Sequence, residues 1–232
     1  MVPVRSIPAN PANYGGVRAG RPQYLVLHYT ANDGDSDESN GRYFQNALSP
    51  AASAHYFVDD DSVTASVPED RIAWHCGAYT YFHPRCRNRN SLGIELCDTS
   101  RDGRVSASGQ TIRNAVWLAA ALCRKYGIAP DHILRHYDVT HKRCPAYWVD
   151  DPSGFEDFRN RVKEELEMEQ SARILVDGRE YPVRRILRNG VSYLRARDLG
   201  AAFGCTVTAQ GSTPVFTTRK EEGTAHGAEC KG

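Results

Sequence analysis

This 232-residue chain predicts an α/β domain followed by a small α+β module, on three observations. Short apolar and β-branched runs at 24–30, 54–58 and 91–97, bounded by turn residues, have the character of buried strands. Between 108 and 126 the apolar residues recur instead at helical spacing. After Ser171 the texture shifts to hairpin signals and a run of arginines.

Composition narrows the function classes. With 29 Lys+Arg against 28 Asp+Glu, the formal charge of +1 supplies no bulk field toward nucleic acid or anionic membrane. No apolar run approaches the roughly 18 to 20 residues that span a bilayer, so membrane insertion is not expected. The first residues, MVPVRSIPANPANYGG, lack an apolar stretch behind a positive one, which predicts synthesis in the cytoplasm without a signal peptide. Seven cysteines form an odd set without a compact framework, which disfavours a disulfide scaffold. Cys76 and Cys86 flank a loop and could pair by length, but a reducing compartment predicts free thiols.

Taken in order, residues 1–22 are rich in Pro, Asn, Gly and Arg and read as an irregular arm. Tyr24 to Thr30 reads as a buried strand with His28 near its end, and 35–46 as an irregular stretch leading into a short helix. Ala54–Val58 and Val63–Val67 read as strands joined by the turn Asp59-Asp-Asp-Ser62. Ser91–Cys97 is a further strand. In the helix at 108–126, Ile112, Val116, Ala119, Ala120 and Cys123 mark the buried face, Ser108 or Thr111 caps the start and Gly127 ends it. Ile133–His136 reads as a short strand and 137–148 as a loop. Phe155, Phe158, Val162 and Leu166 mark one face of a charged helix ending near Gln170.

The expected organisation is therefore a main domain over 1–152, a connecting helix over 153–171, a small module over 172–218 and a disordered tail over 219–232. In the module, Arg173–Val183 resembles a hairpin turning at Asp177-Gly178, with a strand at 190–194 and a short helix stopped by Gly204.

Three segments each deliver a metal-ligand type: His28, His136, and Cys144 eight residues later. Two imidazoles and a thiolate suit Zn²⁺ and leave a fourth position for water, the arrangement of a catalytic zinc. A bland reading stands beside it, with His28 a satisfied core histidine and Cys144 a small buried hydrophobe. A blue-copper site is disfavoured because the only methionines are Met1 and Met168.

The strings LVLHYT (25–30), SAHYFVDDD (53–61), AWHCG (73–77), NSLGIELC (90–97), LRHYDVT (134–140) and KRCPAYW (142–148) stand in an order that resembles zinc-dependent N-acetylmuramoyl-L-alanine amidases. These belong to the superfamily of phage lysozyme-like amidases and peptidoglycan recognition proteins. The resemblance covers roughly 20–165. It implies a central mixed sheet flanked by helices, with zinc held at one end of the strands by His28, His136 and Cys144. It also implies cleavage of the amide between N-acetylmuramic acid and L-alanine of peptidoglycan.

By the same motifs, Glu95 takes the place of the glutamate beside the zinc, and Lys142 that of a lysine facing the developing oxyanion. Some relatives carry a catalytic Tyr where this chain has His55, which is expected either to bond substrate or to sit behind the residues that do. Trp74 and His75 lie in a motif that lines the cleft, and the loop ending at Asn90 is a candidate for contact with glycan or peptide. Two other readings stay open: a recognition module that binds peptidoglycan without cutting it, and a cysteine hydrolase using Cys144 and His136. Most non-cutting relatives lack the thiolate ligand, and Pro145 removes a backbone N–H useful to a cysteine nucleophile. Lack of a signal peptide fits a phage or prophage endolysin.

The stretch VDGREYPVRRILRNGVSYLRARDLGAAFGCTV resembles, more briefly, small stalk-type domains related to the N-terminal region of copper amine oxidases. From Arg173 to Thr218 it carries seven arginines against three acidic residues, a net +4 that could hold an anionic cell-wall polymer. The alternative is a module that only stabilises or dimerises the enzyme.

Overall fold

A computed structural model describes residues 2–48, 51–167, 170–188 and 191–218. The chain divides into two units, Met1–Glu167 with Arg188–Gly190, and Met168–Leu187 with Val191–Gly232. The first begins with β1 (Val4–Ser6), β2 (Tyr14–Val17), β3 (Tyr24–Tyr29) and α1 (Asp37–Asn46). It continues with β4 (Tyr56–Val58), β5 (Val63–Ala65), β6 (Arg71–Ala73), β7 (Ser91–Leu96), β8 (Thr99–Arg101) and β9 (Arg104–Ser106). It ends with α2 (Gly109–Tyr126), β10 (Ile133–Arg135), α3 (His136–Thr140), α4 (Ala146–Asp150) and α5 (Pro152–Glu167).

Six strands form a mixed sheet in the order β1-β5-β4-β7-β3-β10. Every neighbouring pair is parallel except the β4–β5 hairpin. Because side chains alternate across a strand, the sheet sorts its residues onto two faces. Leu25, Leu27, Leu92, Ile94 and Leu96 point to one face, where α2 and α5 cover them with Ala115, Ala119, Phe158 and Val162. On the other face the β3–β7 register sets Tyr24 against Ser91, Val26 against Gly93 and His28 against Glu95. That second face carries the chemistry.

Helix α2 starts where expected: Ser108 Oγ accepts from the N–H groups of Gln110 and Thr111, and Gly127 closes the helix at φ 70°. The N-terminal arm differs from expectation, since β1 adds to the sheet edge beside β5 and β2 pairs with β6. Backbone pairing and buried polar anchors hold it, with Asn13 donating to the carbonyls of Phe44 and Ala47 at 2.8 Å each. Buried Arg18 donates to the carbonyls of Glu69 and Arg71, each at 2.6 Å. The expected strand 133–136 stops at Arg135, because the Asp138 carboxylate accepts from the Arg135 N–H at 2.8 Å and starts α3 at His136. The segment read as a loop, 137–148, contains most of α3 and most of α4. Helix α5 ends at Glu167 and packs on α2, whereas the sequence carried it to Gln170, the first residue of a strand.

In the second unit, β11 (Gln170–Val176) and β12 (Arg179–Arg188) form the expected hairpin, turning through Asp177 (φ 49°) and Gly178 (φ 77°). Next come β13 (Val191–Leu194), α6 (Ala196–Ala202) and a β14 (Cys205–Gln210) to β15 (Thr213–Thr218) hairpin that the sequence reading did not anticipate. The tail expected to be disordered, 219–232, lies outside the described residues.

Candidate metal centre and active site

His28, His136 and Cys144 reach one point from three places in the chain. His28 is near the C-terminal end of β3, His136 opens α3 directly after β10, and Cys144 ends the α3–α4 connection. Their ligand atoms all lie within 4.8 Å of one another and all three residues are buried. Cys144 Sγ is 3.8 Å from His28 Nδ1, and the His28 and His136 rings meet edge to face at 4.6 Å. Backbone bonds fix the thiol's carrier: Cys144 N–H donates to the Lys142 carbonyl, and its own carbonyl accepts from the Tyr137 N–H.

The donor set fits a zinc ion. Two imidazoles and one thiol at this spacing are the chemistry a tetrahedral, borderline-soft cation selects, and three protein ligands leave one position for solvent. Nδ1 of His136 is buried without a hydrogen-bond partner, so its lone pair is available to a cation. Burial also pushes the His28 pKa down and brings that of His136 to about 3, which keeps both rings neutral as ligands must be.

Glu95 stands next to this group, its Oε1 4.0 Å from His28 Nδ1. Its side chain keeps 21% of its surface exposed, but Oε2 is buried with no partner. Desolvation pushes its pKa up to about 8, against the opposing pull of Lys142. A carboxylate poised near neutrality is suited to taking and returning a proton.

Two cavities open beside the centre. One, of about 520 Å³, is lined by Trp74, His75, Asn88, His136, His141 and Lys142 among others. The other, of about 490 Å³, is lined by Glu95 together with Thr30, Asn32, Asn40, Tyr43 and Phe44. Lys142 is exposed at the mouth of the first, held by the same short turn that carries Cys144.

His55 takes the second of its two expected places, behind the cavity-lining His75, while the Asn90 amide is engaged mainly within its own loop. His55 has no exposed surface: its Nδ1 accepts from the Gly93 N–H at 2.9 Å and its Nε2 lies 3.2 Å from the Arg71 carbonyl. It joins β4 to β7 and offers substrate nothing. The Asn90 amide is spent on its own loop, donating to the Arg85 carbonyl and accepting from the Arg87 N–H.

Sequence reasoning also missed three residues beside His75. Asn88 Oδ1 accepts from the N–H groups of His75 and Cys76. Ser91 Oγ lies 3.1 Å from His75 Nε2, and a Cβ at Gly93 would fall 2.6 Å from His75 Cγ. The signal that could have found two of them is the period of two in Ser91-x-Gly93-x-Glu95, which puts all three on one face of β7.

Comparison with known proteins bears on the same stretch. The profile of the family described as N-acetylmuramoyl-L-alanine amidase matches residues 18–147. The chain is 37% identical over 155 residues to N-acetylmuramoyl-L-alanine amidase CwlL of Bacillus licheniformis, covering 63% of this chain and 42% of that protein. It is 37% identical over 173 residues to N-acetylmuramoyl-L-alanine amidase BlyA of Bacillus subtilis, covering 69% of this chain and 46% of that one. Thus the chain spans less than half the length of these curated relatives. Among solved structures, a mutant endolysin from Bacillus subtilis superposes with a TM-score of 0.58 at 26% identity, covering 70% of this chain and 99% of that one. With His28, Glu95, His136, Lys142 and Cys144 all inside the matched segment, the chain belongs to the N-acetylmuramoyl-L-alanine amidase family.

Proposed function

We propose that this protein hydrolyses the amide between N-acetylmuramic acid and L-alanine of peptidoglycan, with zinc held by His28, His136 and Cys144, and that it works as a phage or prophage endolysin. The observation that carries the reading is the convergence of those three ligand atoms within 4.8 Å, with Glu95 alongside. When bound, zinc supplies a Lewis acid that brings the pKa of a water toward about 7 and polarises an amide carbonyl. Glu95 takes a proton from the attacking water and returns it to the departing amine, and its raised pKa suits it to both steps. The Lys142 ammonium at the cavity mouth stabilises the oxygen on which charge develops. Trp74 walls the same cavity and orients the muramyl or peptide portion.

A cysteine-nucleophile mechanism is disfavoured. Cys144 is 3% exposed and burial pushes its thiol up to about 12, the reverse of what an attacking thiolate needs. The arginines of the second unit support a role in holding anionic wall polymer.

Product analysis on purified cell walls tests the reading. New L-alanine amino termini that vanish with a zinc chelator are expected. New reducing sugar ends, or activity indifferent to chelator, would overturn it.

A further inference from the structure

We propose that His75 is a positioning residue for the metal ligand His28, set by a hydrogen-bond chain that ends on the Arg87 carbonyl, and not a substrate contact. The proposal rests on the zinc reading above. His28 Nε2 lies 3.0 Å from His75 Nδ1, His75 Nε2 lies 3.1 Å from Ser91 Oγ, and Ser91 Oγ donates to the Arg87 carbonyl at 2.8 Å.

The direction of every bond follows from the last one. A carbonyl oxygen only accepts, so the single Ser91 hydroxyl proton points at Arg87. Ser91 Oγ must then accept from His75 Nε2–H. With its proton on Nε2, neutral His75 presents Nδ1 as an acceptor, and His28 must donate to it from Nε2. The one remaining lone pair of His28 is left on Nδ1, the nitrogen facing Cys144 Sγ at 3.8 Å. The backbone of one loop thereby selects the tautomer of a ligand two side chains away.

Packing holds the chain in place. The His75 ring lies against Gly93, where a Cβ would come within 2.6 Å of Cγ and 2.9 Å of Nδ1. The His75 backbone N–H is tied to Asn88 Oδ1 at 3.2 Å, and the residue is 8% exposed although it borders a cavity. Both its ring nitrogens are already engaged by Ser91 and His28, so it has little left to offer a substrate.

The test is zinc affinity by competition with a chromophoric chelator, on the full chain and on His75→Phe, Ser91→Ala and His75→Asn. Removal of a partner that orients a ligand is expected to weaken binding about 10- to 100-fold in His75→Phe and by a smaller factor in Ser91→Ala. His75→Asn keeps an acceptor oxygen near the Nδ1 position and is expected to recover most of the loss. Cobalt substitution gives a second readout, in which a misoriented His28 changes the visible spectrum while the thiolate charge-transfer band persists. Zinc affinity unchanged in both His75→Phe and Ser91→Ala, or a raised KM with affinity intact, would overturn the proposal. Failure of the unsubstituted chain to bind zinc would instead sink the metal reading itself. Melting of the metal-free variants separates loss of fold from loss of affinity, and a folded Ser91→Ala that binds zinc as tightly as the parent counts against the proposal even if His75→Phe does not fold.

Discussion

Glu95 and the ligand residues are separable by measurement. Glu95→Gln removes the proton carrier but none of the three ligands, so turnover is expected to fall by about 10²- to 10⁴-fold with zinc content unchanged. Cys144→Ser is expected to lose zinc and activity together, as measured by metal analysis after dialysis. His55 gives a pH effect instead. Burial, followed by the charges of His75 and Arg18, holds its pKa well below the ordinary value near 6.5. The unfolded chain therefore binds a proton that the folded chain refuses, and stability from this residue is complete above about pH 6.5 and declines below it. A denaturant titration at pH 7 and pH 5 should show His55→Gln flattening that decline, by at most about 1.4 kcal/mol per pH unit. The ligands were legible through the order of the motifs that carry the resemblance, since placement at strand ends and a loop left a bland reading open, whereas the commitments of His55 and Asn90 to backbone partners were not. The His55 bonds join segments far apart in sequence, and the Asn90 bonds, though local, lie in a loop with no repeating pattern to announce them.

At the scale of elements, legibility followed how much of each element's stability is local. Helix α2 has a cap, an apolar face and a glycine stop, all within its own sequence. The Ser108 hydroxyl satisfies two N–H groups there, so Ser108→Ala is expected to lower unfolding free energy by about 1 kcal/mol in a denaturant titration. The hairpin through Asp177-Gly178 was likewise local, two residues with positive φ between alternating runs. Helices α3 and α4, five residues each, are too short to be stable alone and are fixed by contacts such as Arg135 to Asp138 and to the Trp148 carbonyl. Strands β1 and β2 were hidden for a similar reason, because their partners lie more than fifty residues away.

Across the whole molecule, the proposed reading divides labour between the two units, and on it charge in the second should act on binding and not on turnover. Reversing Arg179 and Arg197 to glutamate in the full chain is expected to weaken adsorption to anionic walls severalfold at low salt, an effect that fades as salt rises. Turnover of a soluble muramyl peptide should be unaffected, and a matching fall there would remove the division of labour. The mixed sheet has a further consequence for how the chain tolerates change in length. His28 and Glu95 face each other because they share a rung of the β3–β7 ladder, and successive rungs alternate faces. One residue inserted or deleted within Leu92–Ile94 would turn Glu95 toward the helices and bring a leucine or isoleucine to face the His28, His136 and Cys144 cluster. A residue inserted at the tip of the preceding loop, near Tyr79, leaves that rung intact. Length variation in this first unit should therefore be confined to its loops, with the β3 and β7 strands admitting substitutions but no frame slip.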